Sequence, residues 1–114
     1  MRLQDKVAIV TGCARERGIG RAIALRLARE GAHVVAADYC RSIAEYPDAK
    51  FGQMEELEGV AAEIRKLGRR SLAVKVDVTD EKEVSAMAGT AMKEFGRIDI
   101  LCNNAGGGVG GGPV

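Results

Sequence analysis

A glycine-containing stretch at residues 11–20 constrains the fold of this chain more than any other part of its sequence. It follows a short apolar run at residues 7–10 and precedes residues 19–29, where apolar residues recur at helical spacing. This order predicts a strand, a tight turn and a helix. The first N–H groups of a helix have no intrahelical partner and carry about half a positive charge. Gly12 allows a sharp turn with positive φ at the end of the strand. Gly18 and Gly20 have no side chain to hold a phosphate away from those N–H groups, so the stretch predicts a pyrophosphate-binding turn.

A carboxylate stands where the second strand of such a site should end. Residues 33–38 form a largely apolar run that closes with Asp38, which lies twenty positions after Gly18. In dinucleotide-binding folds, an acid about 20 residues beyond the glycines binds a ribose hydroxyl. The alternative is a tight turn in an ordinary α/β protein, with Asp38 as a solvated strand end. The glycines and the acid together favour the dinucleotide site.

Strand-like and helix-like segments alternate along the whole chain. The predicted strands are residues 6–11, 33–38, 71–78 and 98–103, and the predicted helices begin near Ile19, Met54 and Thr79 or Asp80 and end before Gly31, Gly68 and Gly96. Such alternation gives right-handed crossovers and a parallel sheet. We therefore expect an α/β fold, a Rossmann-like doubly wound sheet of strand order 3-2-1-4 in three αβα layers. A ligand would bind above the carboxyl ends of the strands, where four residues converge: Gly12, Asp38, Asp77 and Asn103.

Length and composition exclude several classes of protein. The chain has 114 residues, of which 46% are hydrophobic, and this fits one domain over residues 1–114. The 17 basic and 16 acidic residues are interspersed, so nucleic-acid binding has little support. No apolar run reaches membrane-spanning length, and the N-terminus has no signal-peptide core. We expect a cytoplasmic protein that binds neither membrane nor metal.

The chain has three cysteines that are far apart and lack metal-ligand spacing: Cys13, Cys40 and Cys102. This favours reduced thiols that pack as small apolar residues. Cys13 lies in the predicted phosphate turn, where nearby arginines and the helix terminus could lower the pKa of its thiol. His33 begins the second strand, at the end away from that turn, and is expected to be exposed and structural.

Four features together resemble the N-terminal, cofactor-binding half of the short-chain dehydrogenase/reductase family. They span nearly the whole chain and are the glycine stretch at residues 11–20, Asp38, the pair Asp77-Val78, and Asn103-Asn104-Ala105-Gly106. The resemblance implies hydride transfer between NAD or NADP and an alcohol or carbonyl substrate. It also implies a homo-oligomer, either a dimer or a tetramer.

The resemblance implies a role for each matching residue. The glycine stretch would wrap the adenosine and pyrophosphate, Asp38 would bind the adenosine ribose, and the Asp-Val pair would meet the adenine. The Asn-Asn-Ala-Gly stretch would stabilise the sheet and line the adenosine and nicotinamide side. Asp38 would repel the 2′-phosphate of NADP while Arg17 would attract it, and the carboxylate is expected to prevail, so NAD is the expected cofactor. The implied cofactor-binding residues are Gly12, Arg17, Gly18, Ile19, Gly20, Asp38, Asp77, Val78, Asn103, Ala105 and Gly106.

The chain departs from the family pattern at three places. Five residues separate Gly12 from Gly18, more than in the common pattern, and residues 39–53 form a longer connection than usual. The family's catalytic Ser, Tyr-x-x-x-Lys and helical Asn lie beyond the Asn-Asn-Ala-Gly stretch. We therefore expect no catalytic residue in residues 1–114 and no turnover by this chain alone. The fourth strand would also be left as an unprotected apolar edge.

Two other hypotheses remain open at this point. The chain could be a free-standing dinucleotide-binding module with a regulatory or sensor role and no catalysis. It could also be an adenosine-binding α/β protein such as a methyltransferase, although Asn103-Asn104-Ala105-Gly106 argues against that class. The open reading frame past Val114 distinguishes the free-standing module from an enzyme. A later Tyr-x-x-x-Lys supports the enzyme, and a stop codon supports the module.

Overall fold

The computed structural model of the chain describes residues 2–13, 18–39 and 54–103. In these ranges strands and helices alternate, as the sequence predicts. The elements are β1 (Val7–Thr11), α1 (Ile19–Arg29), β2 (His33–Asp38), α2 (Met54–Lys66), β3 (Ser71–Lys75), α3 (Glu81–Phe95) and β4 (Ile100–Cys102).

The strands form one parallel sheet in the order β3-β2-β1-β4, which confirms the predicted order. β1 pairs with β2 from Val7 opposite His33 to Thr11 opposite Ala37, and with β4 from Ala8 opposite Ile100. Every residue of β1 is buried, as expected for an inner strand whose two faces are both covered by helices.

Alternate residues of the two inner strands face opposite sides of the sheet. On one face they pack against α1 and α2 in a cluster that includes Val10, Ala24, Val34, Ala36, Leu57 and Ile64. On the other face they pack against α3 in a cluster that includes Ile9, Val35, Ala37, Val76, Met87 and Ala91. Helices therefore cover both faces of the sheet, and the predicted three-layer αβα architecture is confirmed.

Glycines in the left-handed conformation follow α1 and α3, where the sequence predicts the helices to end. Gly31 has φ 107°, and a Cβ at this position would lie 2.9 Å from the Cα of Gln4. Gly96 has φ 77°, and its N–H donates to the carbonyl oxygen of Met92 at 2.8 Å. Glycine is the residue that adopts this conformation at least cost, so both positions stop their helix.

The outer strands are shorter than predicted. β3 ends at Lys75 and not at Val78, because β2 ends at Asp38, which is the partner of Lys75 in the register. One further backbone bond, from Val76 N–H to the Asp38 oxygen at 2.8 Å, follows before the chain leaves the sheet. β4 covers residues 100–102 of the predicted 98–103. The inner strand β1 is shorter by one residue, since it begins at Val7 and not at Lys6.

The β4 edge is open among the strands that the structure describes. β4 pairs there with β1 alone, and Leu101 within it is 63% exposed. The apolar edge expected for the fourth strand is thus present in these residues. Within the described ranges, no helix combines the length and apolarity needed to cross a bilayer.

His33 is more enclosed than the sequence predicts, and the expectation of an exposed side chain is wrong. The side chain is 19% exposed, and its ring stacks on Phe95 with the centroids 6.0 Å apart. Its Nδ1 accepts the backbone N–H of Arg70 at 2.9 Å, and the Arg70 guanidinium lies over the Phe95 ring. The end of α3 covers the amino end of β2, so these contacts are structural and lie far from the carboxyl edge of the sheet.

Asp99 joins β1 and β4 at the amino end of the sheet. Its Oδ2 accepts the N–H of Val7 at 2.8 Å, and its own N–H donates to the Val7 oxygen at 2.9 Å. Its Oδ1 accepts from Arg97 Nη2 at 2.7 Å. The hydrogen bond from Arg97, followed by that from the Val7 N–H, lowers the pKa of the Asp99 carboxyl.

Asp99 should therefore make the stability of the chain depend on pH at the acidic end. Because the folded-state pKa is below the unfolded one, the stabilisation is present above the unfolded pKa of about 3.9 and is lost as pH falls through the folded value. Between pH 6 and pH 3, the wild type should lose more unfolding free energy than Asp99→Asn, with Arg97→Gln in between. Urea unfolding at several pH values measures these losses. If the unfolding free energy of all three proteins falls equally between pH 6 and pH 3, Asp99 does not have this effect.

Candidate functional site

The carboxyl ends of the four strands lie along one edge of the sheet because all the strands are parallel. This edge, called the carboxyl edge below, brings together four residues that the sequence singles out. Gly12 follows β1, Asp38 ends β2, Asp77 lies two positions beyond β3, and Asn103 follows β4. In open parallel sheets, ligands bind outside this edge where the strand order reverses, which here is between β1 and β4.

The amino end of α1 points to this edge and is left uncapped by any described side chain. Gly18 is the N-cap residue, with φ −80° and ψ 153°, and it has no side chain that could accept a first-turn N–H. The first turn contains no acidic residue. Ile19 is 69% exposed, whereas Gly20 is buried. No described side chain thus occupies the first N–H groups of the helix, and these groups and the positive end of its dipole suit an anion.

Gly12 makes the sharp turn that leads out of β1. Its φ is 74°, in the left-handed region where glycine is favoured. The next residue, Cys13, donates its N–H to the Ala37 oxygen at 3.2 Å, so the chain remains bonded to β2 as it leaves the strand. The positive φ predicted for Gly12 is confirmed.

Cys13 lies beneath the turn and not at its surface. It is 0% exposed, and its Sγ donates to the Val10 oxygen at 3.0 Å. Burial raises the pKa of the Cys13 thiol to about 12, with the negative charge of Asp38 acting in the same direction. The predicted lowering of this pKa is therefore wrong, because the thiol is enclosed in the core and the loss of solvation outweighs other influences. Cys13 packs as a small apolar residue, which is the role that the sequence favours for the cysteines.

Asp38 ends β2 as predicted and is almost enclosed in the described structure. The residue is 8% exposed, and its Oδ1 accepts the N–H of Tyr39 at 2.6 Å. This bond sets the direction of the carboxylate at the carboxyl edge.

Asp77 begins a tightly bonded turn between β3 and α3. Its Oδ1 accepts from the N–H and Oγ1 of Thr79 at 2.9 and 2.6 Å, and its carbonyl accepts the N–H of Asp80 at 3.0 Å. Asp80 is the N-cap of α3, one of the two residues predicted for that role, and accepts from the N–H groups of Lys82 and Glu83. Val78 lies inside this turn and packs against the apolar cluster under α3. The turn fixes both residues of the Asp-Val pair.

Asn103 is connected to β1 across the point where the strand order reverses. Thr11 Oγ1 lies 3.1 Å from Asn103 Oδ1 and 3.4 Å from the Cys102 oxygen, and it donates toward both. Cys102 is half-buried next to the cluster that contains Cys13. The end of β4 is therefore held beside the glycine turn, at the place expected for a bound ligand.

Several predicted positions lie outside the described residues. They are Arg17 in the glycine stretch, Cys40 and the rest of residues 40–53, and Ala105 and Gly106 after β4. Tyr46 and Lys50 in that range have the spacing Tyr-x-x-x-Lys. They precede Asn103 in the chain, whereas the pair implied by the resemblance lies beyond the Asn-Asn-Ala-Gly stretch. They receive no catalytic assignment.

One residue at this edge was not singled out by the sequence. Glu83, in the first turn of α3, accepts the backbone N–H of Asp77 through its Oε1 at 3.1 Å. The sequence contains a signal for it, since Asp80 and Glu83 have the spacing of a capping box. In that motif the glutamate bonds to the N-cap N–H, whereas here it bonds to Asp77, three residues earlier.

Comparison with known proteins identifies the family. The family model described as "short chain dehydrogenase" matches residues 6–113. The chain belongs to the short-chain dehydrogenase family. A cyclohexanol dehydrogenase of Rhodococcus sp. strain TK6 is 44% identical over 110 residues, which are 95% of this chain and 39% of that protein.

Solved structures of the family have the same fold. A carveol dehydrogenase from Mycobacterium avium, in complex with NAD, superposes with a TM-score of 0.82 at 36% identity, over 92% of this chain and 37% of that one. A short-chain dehydrogenase from Mycobacterium paratuberculosis, bound to NAD, gives 0.83 at 31% identity, over 93% and 38%. The chain therefore spans less than two fifths of the length of these relatives.

Proposed function

We propose that this chain is the NAD-binding part of an oxidoreductase that transfers hydride between the cofactor and an alcohol or carbonyl substrate. The observation that carries the proposal is the arrangement of α1, Gly12 and Asp38 at one edge of the sheet. Among the described residues, no side chain caps the start of α1, which follows β1, and Asp38 ends the strand next to β1. That is a place for an anionic diphosphate and an adjacent pair of sugar hydroxyls.

Different residues of the carboxyl edge would contact different parts of the dinucleotide. The N–H groups at Gly18, Ile19 and Gly20 would hold the pyrophosphate, with Arg17 adding positive charge beside them. Exposed Ile19 would cover an apolar part of the bound cofactor. The Asp77-Val78 turn would border the adenine. Asn103, with Ala105 and Gly106 after it, would line the path to the nicotinamide, which when bound supplies the site of hydride gain or loss.

Asp38 supports NAD over NADP. A carboxylate about 4 Å from a 2′-phosphate is repelled by roughly 4 kcal/mol at an effective dielectric of 20, before screening by salt. The same carboxylate would accept hydrogen bonds from the ribose hydroxyls of NAD. The NAD complexes of the two structural relatives support this preference.

We propose further that the chain binds its cofactor without turning it over. Proton transfer to or from the substrate oxygen needs an acid or base within hydrogen-bond reach. The family's Ser, Tyr and Lys for that task follow the Asn-Asn-Ala-Gly stretch, and Tyr39 and Asp38 at this edge belong to the cofactor side. The whole enzyme would be a cytoplasmic homo-oligomer, with its substrate selected by parts beyond this chain.

The cofactor preference can be tested by titrating the chain with NADH and NADPH. Fluorescence titration should show NADH binding at least tenfold more tightly than NADPH, since even a screened fraction of the Asp38 repulsion exceeds 1.4 kcal/mol. Asp38→Ala should weaken NADH and strengthen NADPH. Asp38→Asn keeps an acceptor for the Tyr39 N–H without the charge, so it should mainly relieve the repulsion of NADPH. Tighter NADPH binding that Asp38→Ala leaves unchanged would contradict the proposed preference.

A further inference from the structure

Glu83, in the first turn of α3, accepts a hydrogen bond from the turn between β3 and α3. The Asp77 N–H donates to Glu83 Oε1 at 3.1 Å, and Glu83 lies in α3, six residues further along the chain. The carbonyl and Oδ1 of Asp77 are engaged by Asp80 and Thr79 within the turn itself. The Glu83 carboxylate adds a contact from the first turn of α3 to the backbone N–H of Asp77.

Glu83 is itself held in a defined position. Its backbone N–H donates to the Asp80 carboxylate at 3.4 Å, and the neighbouring Lys82 N–H does so at 2.9 Å. The residue is half-buried, and Val84 beside it packs into the cluster under the sheet. A charge-assisted bond to a backbone N–H is stronger than a neutral one. The Glu83 carboxylate can therefore keep the Asp77 N–H in place although water competes for the same hydrogen bond.

We propose that Glu83 is a positioning residue that gives this site its selectivity for adenine. The proposal rests on the proposed function, in which the Asp77 turn borders the base. A carboxylate only accepts hydrogen bonds, so an Asp77 side chain held near the base attracts a 6-amino group and repels a 6-oxo group. That selectivity depends on the position of the Asp77 backbone, to which the bond from its N–H to Glu83 contributes. Glu83 does not touch the cofactor and has no part in the hydride transfer.

The test compares NAD with nicotinamide hypoxanthine dinucleotide, which carries a 6-oxo group in place of the 6-amino group. The ratio of the two dissociation constants is measured by calorimetric titration of the whole chain. Glu83→Ala should lower the preference for NAD by up to about fivefold, because the contact between Asp77 and the 6-amino group is itself worth about one hydrogen bond. Glu83→Gln should retain the wild-type ratio, because its amide oxygen still accepts the Asp77 N–H.

Glu81→Ala is the matched control. Glu81 has the same side chain in the same first turn of α3 and is exposed, so its removal takes away the same charge from the helix end. For Glu81→Ala, the ratio of the two dissociation constants should equal that of the wild type. If Glu83→Ala does not fold, Glu83→Asp replaces it, since this change keeps the charge and shortens the reach by one methylene.

The outcomes separate the proposal from the proposed function. Unchanged ratios in Glu83→Ala, with NAD still bound, would overturn the role of Glu83 and leave NAD binding intact. An equal loss of both dinucleotides would likewise overturn it, because it would mean that Glu83 supports only the fold. If the wild type binds neither dinucleotide, the proposed function fails and the role of Glu83 fails with it.

Discussion

Replacing Gly18 by Asp should abolish NAD binding while leaving the chain at least as stable as before. Gly18 is the N-cap of α1 with extended backbone angles that any residue adopts, and Asp is a better N-cap than Gly by a few tenths of a kcal/mol. The same carboxylate would occupy the N–H groups that a pyrophosphate needs. It would also repel each phosphate charge about 4 Å away by roughly 4 kcal/mol at an effective dielectric of 20.

The expected loss of affinity for NAD is at least about 10³-fold, since 1.4 kcal/mol corresponds to a factor of ten. Gly18→Asn is the control, because it has nearly the same size and caps the helix without the charge. It should weaken binding less than Gly18→Asp. Calorimetric titration and thermal unfolding together check this, and unimpaired NAD binding by Gly18→Asp would show that α1 does not hold the diphosphate.

Leu57→Ala should be among the most damaging changes to the fold itself. Leu57 is 0% exposed and packs from α2 onto the sheet in the cluster with Val34 and Ala36. Truncating a buried Leu removes transfer free energy and leaves a cavity, which together cost about 2–5 kcal/mol. This is a large part of the 5–15 kcal/mol that stabilises a typical domain.

Leu67→Ala is the matched control for this loss. Leu67 follows α2 directly and is 40% exposed, so the same truncation should cost much less, on the order of 0.5 kcal/mol. Urea unfolding followed by circular dichroism measures both values. Equal losses would mean that the cluster under α2 does not form the core.

The order of the sheet and the bounds of α1 and β2 could be predicted because local signals agree there. Gly18 begins the helix, Gly31 follows its end, and the apolar run of residues 33–38 has no competing pattern. The predicted end of β3 was wrong for a non-local reason. The sequence of residues 71–78 is strand-like throughout, but the neighbouring strand ends at Asp38, and Asp77 bonds to its own turn instead.

The positions of Gly12, Asp38, Asp77 and Asn103 at the strand ends could be predicted, but the surroundings of these residues could not. The glycine spacing and Asp38 specify which backbone and carboxylate groups meet at the carboxyl edge. The pattern could not tell that Cys13 points into the core, because a glycine-rich turn has no periodicity that distinguishes its buried side from its exposed side. Nor could it tell that Glu83 bonds to Asp77, since the capping-box spacing indicates a different acceptor geometry.

Amide NMR of the ¹⁵N-labelled chain, titrated with NAD, tests where the dinucleotide lies. We expect saturable shifts at the carboxyl edge, in the amides of Gly12, Gly18, Ile19, Gly20, Tyr39, Val78 and Asn103. The amino end of the sheet, where His33 stacks on Phe95, should stay unchanged. Shifts centred on His33 and Arg70, or no saturable shift at millimolar NAD, would contradict a diphosphate site at the start of α1.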